Sequence, residues 1–113
     1  MRDIVIVEAA RTPVGRFRGS FKGVRADHLG AAVLDAVVQR AGLQPGQIAM
    51  VGDRIYTDMM MAHRAGALGV LVLSGEATAT EAAMADPPPH LTVPSLAEFG
   101  AALVQTHRPS SFA

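Results

Sequence analysis

The strongest constraint on the fold is a rhythm along the chain. Short runs rich in β-branched residues alternate with Ala-rich stretches of helical spacing. Gly69–Leu73 (GVLVL) is the clearest run, Ile4–Val7 and Ile48–Val51 are two more, and Leu91–Val93 is a fourth, shorter one. A run that is apolar at every position has no side to turn to water, which suits a strand buried on both faces of a parallel sheet. From Asp27, Leu29, Val33, Val37 and Ala41 recur at helical spacing, with Leu34 and Val38 widening the stripe. Asp27 is the expected N-cap and Gly42 the expected stop. A short helix over Asp58–Ala65, closed by Gly66, is expected next, and two capping boxes, Thr78-x-x-Glu81 and Ser95-x-x-Glu98, open two more. The last helix is expected to bury Leu96, Phe99 and Leu103. The order βαβαβαβα predicts an α/β domain with a parallel four-stranded sheet and crossover helices, a Rossmann-like arrangement. If the strands lie in sequence order, right-handed crossovers put every helix on one face. The other face would then be bare and apolar, a surface expected to drive homo-oligomer formation. An order with the first strand central would cover both faces.

The 113 residues make one domain, with 18% of them charged and ten basic side chains balanced by ten acidic ones. This balance argues against a generally basic nucleic-acid binder, so nucleic acid is not an expected partner. No stretch approaches the ~20 apolar residues that cross a bilayer, and Glu8 interrupts the N-terminal apolar run. The expectation is a cytoplasmic protein without a membrane partner. The chain has no Cys, so disulfides, thiolate metal sites and a cysteine nucleophile do not arise within it.

One segment carries recognisable chemistry. Val51-Gly52-Asp53-Arg54-Ile55-Tyr56-Thr57-Asp58 leaves a buried strand and opens a helix. In open parallel sheets functional groups gather beyond the carboxyl ends of the strands. Two carboxylates on such a loop could share a hard cation, since Mg²⁺ takes one or two carboxylates, several waters and a substrate phosphate. Gly52 would let the backbone turn sharply. The alternative is that Asp53 is a turn residue and Asp58 favours the helix N-terminus through the dipole.

The wider text around that segment resembles a known family. Gly42-Leu43, Pro45, Met50-Val51-Gly52-Asp53-Arg54, Tyr56-Thr57-Asp58, Ala65-Gly66, Val70-Leu71-Val72-Leu73-Ser74-Gly75, Pro88 and Ser95-Leu96 resemble the C-terminal part of the haloacid-dehalogenase-like (HAD) phosphatases. The similarity is to the branch containing 4-nitrophenyl phosphatase and phosphoglycolate phosphatase. It implies a Mg²⁺-dependent phosphate-ester hydrolase acting on a phosphorylated small molecule, with Asp53 as metal ligand and Asp58 as the companion acid. It also implies groups these residues do not supply. Such enzymes use a nucleophilic Asp in a D-x-D-G-T loop after the first strand, whereas no D-x-D occurs here. The one Lys, Lys22, lacks the family's Lys-Pro context, and 113 residues leave no room for a cap domain. The expected activity is therefore weak or absent.

Residues 3 to about 43 resemble a different family, the extreme N-terminus of the thiolases (acetyl-CoA acetyltransferases). Asp3-Ile4-Val5-Ile6-Val7, Ala9-Ala10-Arg11-Thr12-Pro13-Val14-Gly15, Phe17, Gly19-Ser20-Phe21-Lys22, Leu29-Gly30 and Arg40-Ala41-Gly42-Leu43 carry the similarity. Thiolase chemistry is not expected: there is no Cys to acylate, and none of the four His follows a Gly. The chain thus reads as a chimera. Residues 1–43 form a thiolase-like first βα unit, 44–105 a HAD-like C-terminal half, and 106–113 a tail expected to fray. The rival is a non-catalytic recombined or engineered scaffold that self-associates. Overlaying Glu8-Ala9-Ala10-Arg11-Thr12 on D-x-D-G-T would put Glu8 at the nucleophile position, where Glu8, Asp53 and Asp58 could form an acidic pocket for weakly bound Mg²⁺. The alternative for Glu8 is a solvated charge at a strand end.

Other candidates carry less. Arg11, Arg16, Arg18, Lys22 and Arg25, interleaved with Phe17 and Phe21, are read as a solvated basic loop. The histidines have no zinc-ligand spacing. Tyr56 is expected to anchor its loop, and Met59–Met61 to pack on the sheet.

Overall fold

The computed structural model describes residues 5–106. Helix α1 (Ala26–Ala41) leads through a one-turn 3₁₀ segment (Pro45–Gln47) into strand β1 (Ala49–Gly52). A wide π-helical turn (Ile55–Met59) continues into α2 (Met60–Ala65), then β2 (Leu68–Val72), α3 (Ala79–Met84), β3 (Leu91–Val93) and α4 (Leu96–Thr106). All strand pairs are parallel and the order is β1-β2-β3, with Val51 opposite Val70 and Leu71 opposite Thr92. The α/β class is thus as expected, and these three strands take the first of the two orders considered, that of the sequence. The sheet, however, has three strands among the described residues, not four.

The missing strand is the N-terminal one. Val5, Ile6 and Val7 are irregular and exposed, and Ile4 lies outside the described residues. An apolar run becomes a strand only where a neighbour accepts its hydrogen-bond ladder, and β1 takes its partner from β2. The following loop satisfies itself locally, with Gly19 N–H donating to Arg16 O (2.8 Å), Lys22 N–H to Gly19 O (3.1 Å) and Val24 N–H to Phe21 O (2.9 Å). Arg40 near the end of α1 ties the segment back by donating to Ala9 O at 3.2 Å.

Helix α1 stops where the sequence says it should, at Gly42 in the left-handed region (φ 67°). Its start is different. Arg25 occupies the N-cap position without a side-chain cap bond, and Asp27 lies inside the first turn. Asp27 is almost fully buried, accepting from Arg25 Nε at 2.9 Å on one oxygen and from Arg64 Nε of α2 on the other. The Arg25 hydrogen bond, reinforced by Arg64 against the opposing effect of burial, holds the carboxyl down at about 2. A buried carboxylate with two guanidinium partners is better employed as an interhelix tie than as a cap. The two helices also meet at Gly30, where a Cβ would overlap the Met61 side chain.

The core lies under β2. Met59, Leu71, Ala77 and Ala82 form a buried cluster with Ile55 and Leu73 packed against it. Gly69 gives Ala62 and Met59 close access to the strand. Val70 and Leu71 are both fully buried, and successive strand residues face opposite ways. The central strand is therefore covered on both sides, which departs from the expected bare face. On α4 Phe99 is buried, but Leu96 and Leu103 are exposed, because a three-residue edge strand gives that helix too little surface for a full apolar stripe. Thr106 ends α4; residues 107–113, most of the expected frayed tail, lie outside the described residues.

Candidate functional site

The segment singled out in the sequence sits where an open parallel sheet gathers its chemistry, on the loop leaving the carboxyl end of β1. Met59 N–H reaches back five residues to Arg54 O at 3.2 Å, and this wide turn swings Asp58 over the loop it follows. Asp58 Oδ2 accepts from Asp53 N–H at 3.1 Å and from Arg54 N–H at 3.0 Å. A Cβ at Gly52 would collide with that carboxylate, so Gly52 is required for space and not for a positive φ. Sequence reading anticipated the glycine but not this reason.

A second loop, after β2, closes on Asp53. Its Oδ2 accepts from Glu76 N–H at 2.8 Å, and its carbonyl accepts from Ala77 N–H at 3.0 Å. Gly75 makes the approach feasible, since a Cβ there would overlap the Asp53 carboxylate. Arg54 Nε donates to Glu76 Oε2 at 2.5 Å across the gap between the loops. The Glu76 contact, with smaller help from Asp53 and Asp58, raises the Arg54 guanidinium above its already high ordinary value. Between the loops opens a cavity of about 600 Å³, lined on one side by Asp53, Arg54, Tyr56 and Thr57 and on the other by Glu76, Glu81 and Met84. Glu81 is occupied in the expected capping box. The Thr78 N–H and then its hydroxyl lower the Glu81 carboxyl, so it stays anionic.

The candidate residues are not all brought together. Asp53 and Asp58 share one loop, but Glu8 lies near the end of α1, accepting from Ala9 N–H at 2.9 Å and sitting 3.9 Å from Arg40 Nη1. Its segment forms no strand beside β1, so Glu8 does not face Asp53. Among the described residues no three metal-ligating side chains come together. Mg²⁺ can be held by one or two carboxylates and completed by water. Oδ2 of each Asp already accepts from backbone N–H groups, which leaves Oδ1 of each. This donor set fits a hydrated, loosely held ion and not a tight all-protein cage. Tyr56 does not anchor the loop; it is exposed. Thr57 Oγ1 is buried without a hydrogen-bond partner among the described residues. Glu76 was missed by sequence reading. Its only signal was a charge immediately after a strand and a Gly, which resembles any solvated loop.

A Gly-Asp loop on a β1 carboxyl end, clamped by an Asp five residues on, converges with comparison to known proteins. The HAD-hydrolase-like family model matches residues 28–99. The chain belongs to that family. The fold is similar to the crystal structure of 4-nitrophenylphosphatase from Thermotoga maritima, with a TM-score of 0.60 and 34% sequence identity. The likeness covers 66% of this chain and 28% of that one. A separate similarity links a shorter segment to thiolases. It is 58% identical over 48 residues to the acetyl-CoA acetyltransferase of Paracoccus denitrificans, covering 42% of this chain and 12% of that protein. It is 54% identical over 39 residues to the beta-ketoadipyl-CoA thiolase of Pseudomonas putida, 34% of this chain and 10% of that protein. The chain therefore spans a small part of each kind of relative. Among the described residues no helix is long and apolar enough to cross a membrane.

Proposed function

We propose that this chain is a chimera in which a thiolase-like N-terminal segment is joined to the metal-loop half of a Mg²⁺-dependent phosphate-ester hydrolase. It receives a phosphorylated small molecule weakly in the cavity beside Asp53 and hydrolyses it at or near background. The observation that carries the reading is the Asp53 loop itself. One oxygen of Asp53 is left over after docking Glu76 N–H, and Asp53 lines the cavity between the loops at the carboxyl ends of β1 and β2. Asp53 Oδ1 would hold a Mg²⁺ ion, which supplies charge neutralisation at the phosphoryl oxygens when bound. Asp58 acts on the loop rather than on substrate, because its carboxylate fixes the Asp53 and Arg54 N–H groups. Slow turnover follows from the absence of a D-x-D pair in these 113 residues. Acid/base catalysis alone contributes a factor of roughly 10²–10⁴, and no group in the cavity is placed to replace both members.

A Mg²⁺ titration followed by proton–nitrogen correlation spectra tests the metal assignment. Shifts centred on Gly52–Arg54 and Glu76, lost in Asp53→Asn, are expected; shifts that survive in Asp53→Asn would overturn it.

A second reading, a non-catalytic scaffold that self-associates, draws support from the exposure of Val5, Ile6, Val7, Val14 and Phe17. Sedimentation that changes with protein concentration in the parent, and not after Ile6→Ser with Phe17→Ser, would favour it.

A further inference from the structure

The cavity has the wrong charge for the ligand its loop implies. Asp53, Glu76 and Glu81 place three carboxylates along its lining, and Arg54 is the one basic residue among its lining residues. That guanidinium is already engaged by Glu76 at 2.5 Å. The engagement is built into the backbone, because Glu76 N–H is fixed on Asp53 and Gly75 allows the two loops to close. Glu76 is thus delivered to Arg54 by the same contact that positions Asp53.

Resting on the phosphate-ester reading of this cavity, we infer that Glu76 is a built-in counter-ion for Arg54 and sets the cavity's anion specificity. With its one guanidinium paired to Glu76 and two further carboxylates, Asp53 and Glu81, in its lining, the cavity discriminates against free phosphate-type anions. Glu76 holds the Nε–H of Arg54, so a phosphate that approaches the guanidinium meets the Glu76 carboxylate beside it. The Arg54–Glu76 pair is mostly exposed on both sides. Its strength falls in the range of exposed ion pairs, whose upper end corresponds to roughly a five-fold effect on an equilibrium. Neutralising Glu76 also removes one unit of like-charge repulsion toward the incoming anion, so a gain of roughly two- to five-fold is expected.

The test uses inorganic phosphate on the full chain, without divalent metal, at constant ionic strength maintained with chloride. Proton–nitrogen spectra follow the amides of Gly75 and Ala77 in the parent, in Glu76→Gln and in Glu76→Gln with Arg54→Gln, and Arg54 Nε in the first two. The backbone spectrum of each variant reports whether the two loops remain closed. Half-maximal shifts in Glu76→Gln at a phosphate concentration roughly two- to five-fold below the parent's, with the gain lost in the double variant, are expected. Coincident titrations of parent and Glu76→Gln would overturn the assignment. So would a gain that survives Arg54→Gln, which would place the phosphate elsewhere, the basic Arg11–Arg25 loop being the obvious alternative. Neither metal nor turnover enters this measurement, so a failure of the Mg²⁺ reading at Asp53 leaves its outcome unaffected.

Discussion

Replacing Asp58 separates two roles that the sequence alone could not distinguish, metal ligand and loop clamp. Its Oδ2 accepts backbone N–H groups from Asp53 at 3.1 Å and Arg54 at 3.0 Å. Hydrogen bonds to a charged acceptor contribute about 1.5–3 kcal/mol each. The loop is partly exposed, so the lower end applies, and Asp58→Ala is expected to cost about 3 kcal/mol in total. Asp58→Asn keeps one acceptor oxygen without the charge and should cost about half as much. With a urea slope of about 2 kcal/mol per molar, the Ala variant should move the unfolding midpoint down by roughly 1.5 M. Urea titrations followed by far-ultraviolet circular dichroism, in metal-free buffer, measure the shift. An Asp58→Ala midpoint within about 0.3 M of the parent, at unchanged slope, would refute the clamp. Asp58 would then be free to serve as a ligand.

Gly75→Ala should cost about 1–3 kcal/mol and weaken Mg²⁺-induced shifts at Asp53, because the added Cβ falls on the Asp53 carboxylate. Gly46→Ala, where a Cβ meets nothing within 4 Å, should lie within about 0.5 kcal/mol of the parent in the same urea titration. Asp27 contributes to acid stability with a definite sign. Its carboxyl is held at about 2 in the folded chain, against about 3.9 when unfolded. The stabilisation is complete above the unfolded value, falls away as pH drops through that window, and is gone below the folded value. Asp27→Asn should therefore flatten the fall in melting temperature across the same acid range, and an unchanged slope would contradict the buried tie.

Much of the framework was legible because local chemistry and tertiary packing agree there. Gly42 and Gly66 end helices in the left-handed region. Thr78 and Glu81 close their capping box, and GVLVL forms the buried central strand within one residue of its expected bounds. The failures share a cause. Ile4–Val7 has the composition of a strand, but composition does not supply a neighbouring edge. Asp27 stands at a cap-like position in the sequence, yet Arg64, brought in from 37 residues away, decides its role. Leu96 and Leu103 follow the helical period, but the surface they would cover depends on the length of β3. At the site, the Gly-Asp-Arg and Thr-Asp spacing disclosed the loop, whereas the Glu76–Arg54 pairing depends on how two loops approach. No periodicity reports that distance.

The central claim is that the Asp53 loop stands here without the groups that complete a phosphatase. Hydrolysis of 4-nitrophenyl phosphate by the folded parent, with and without Mg²⁺ and beside Asp53→Asn prepared identically, tests it most directly. The account predicts no Mg²⁺-dependent rate above that of Asp53→Asn. A Mg²⁺-dependent rate that disappears in Asp53→Asn would contradict it, and would mean that another side chain of this chain attacks the phosphate.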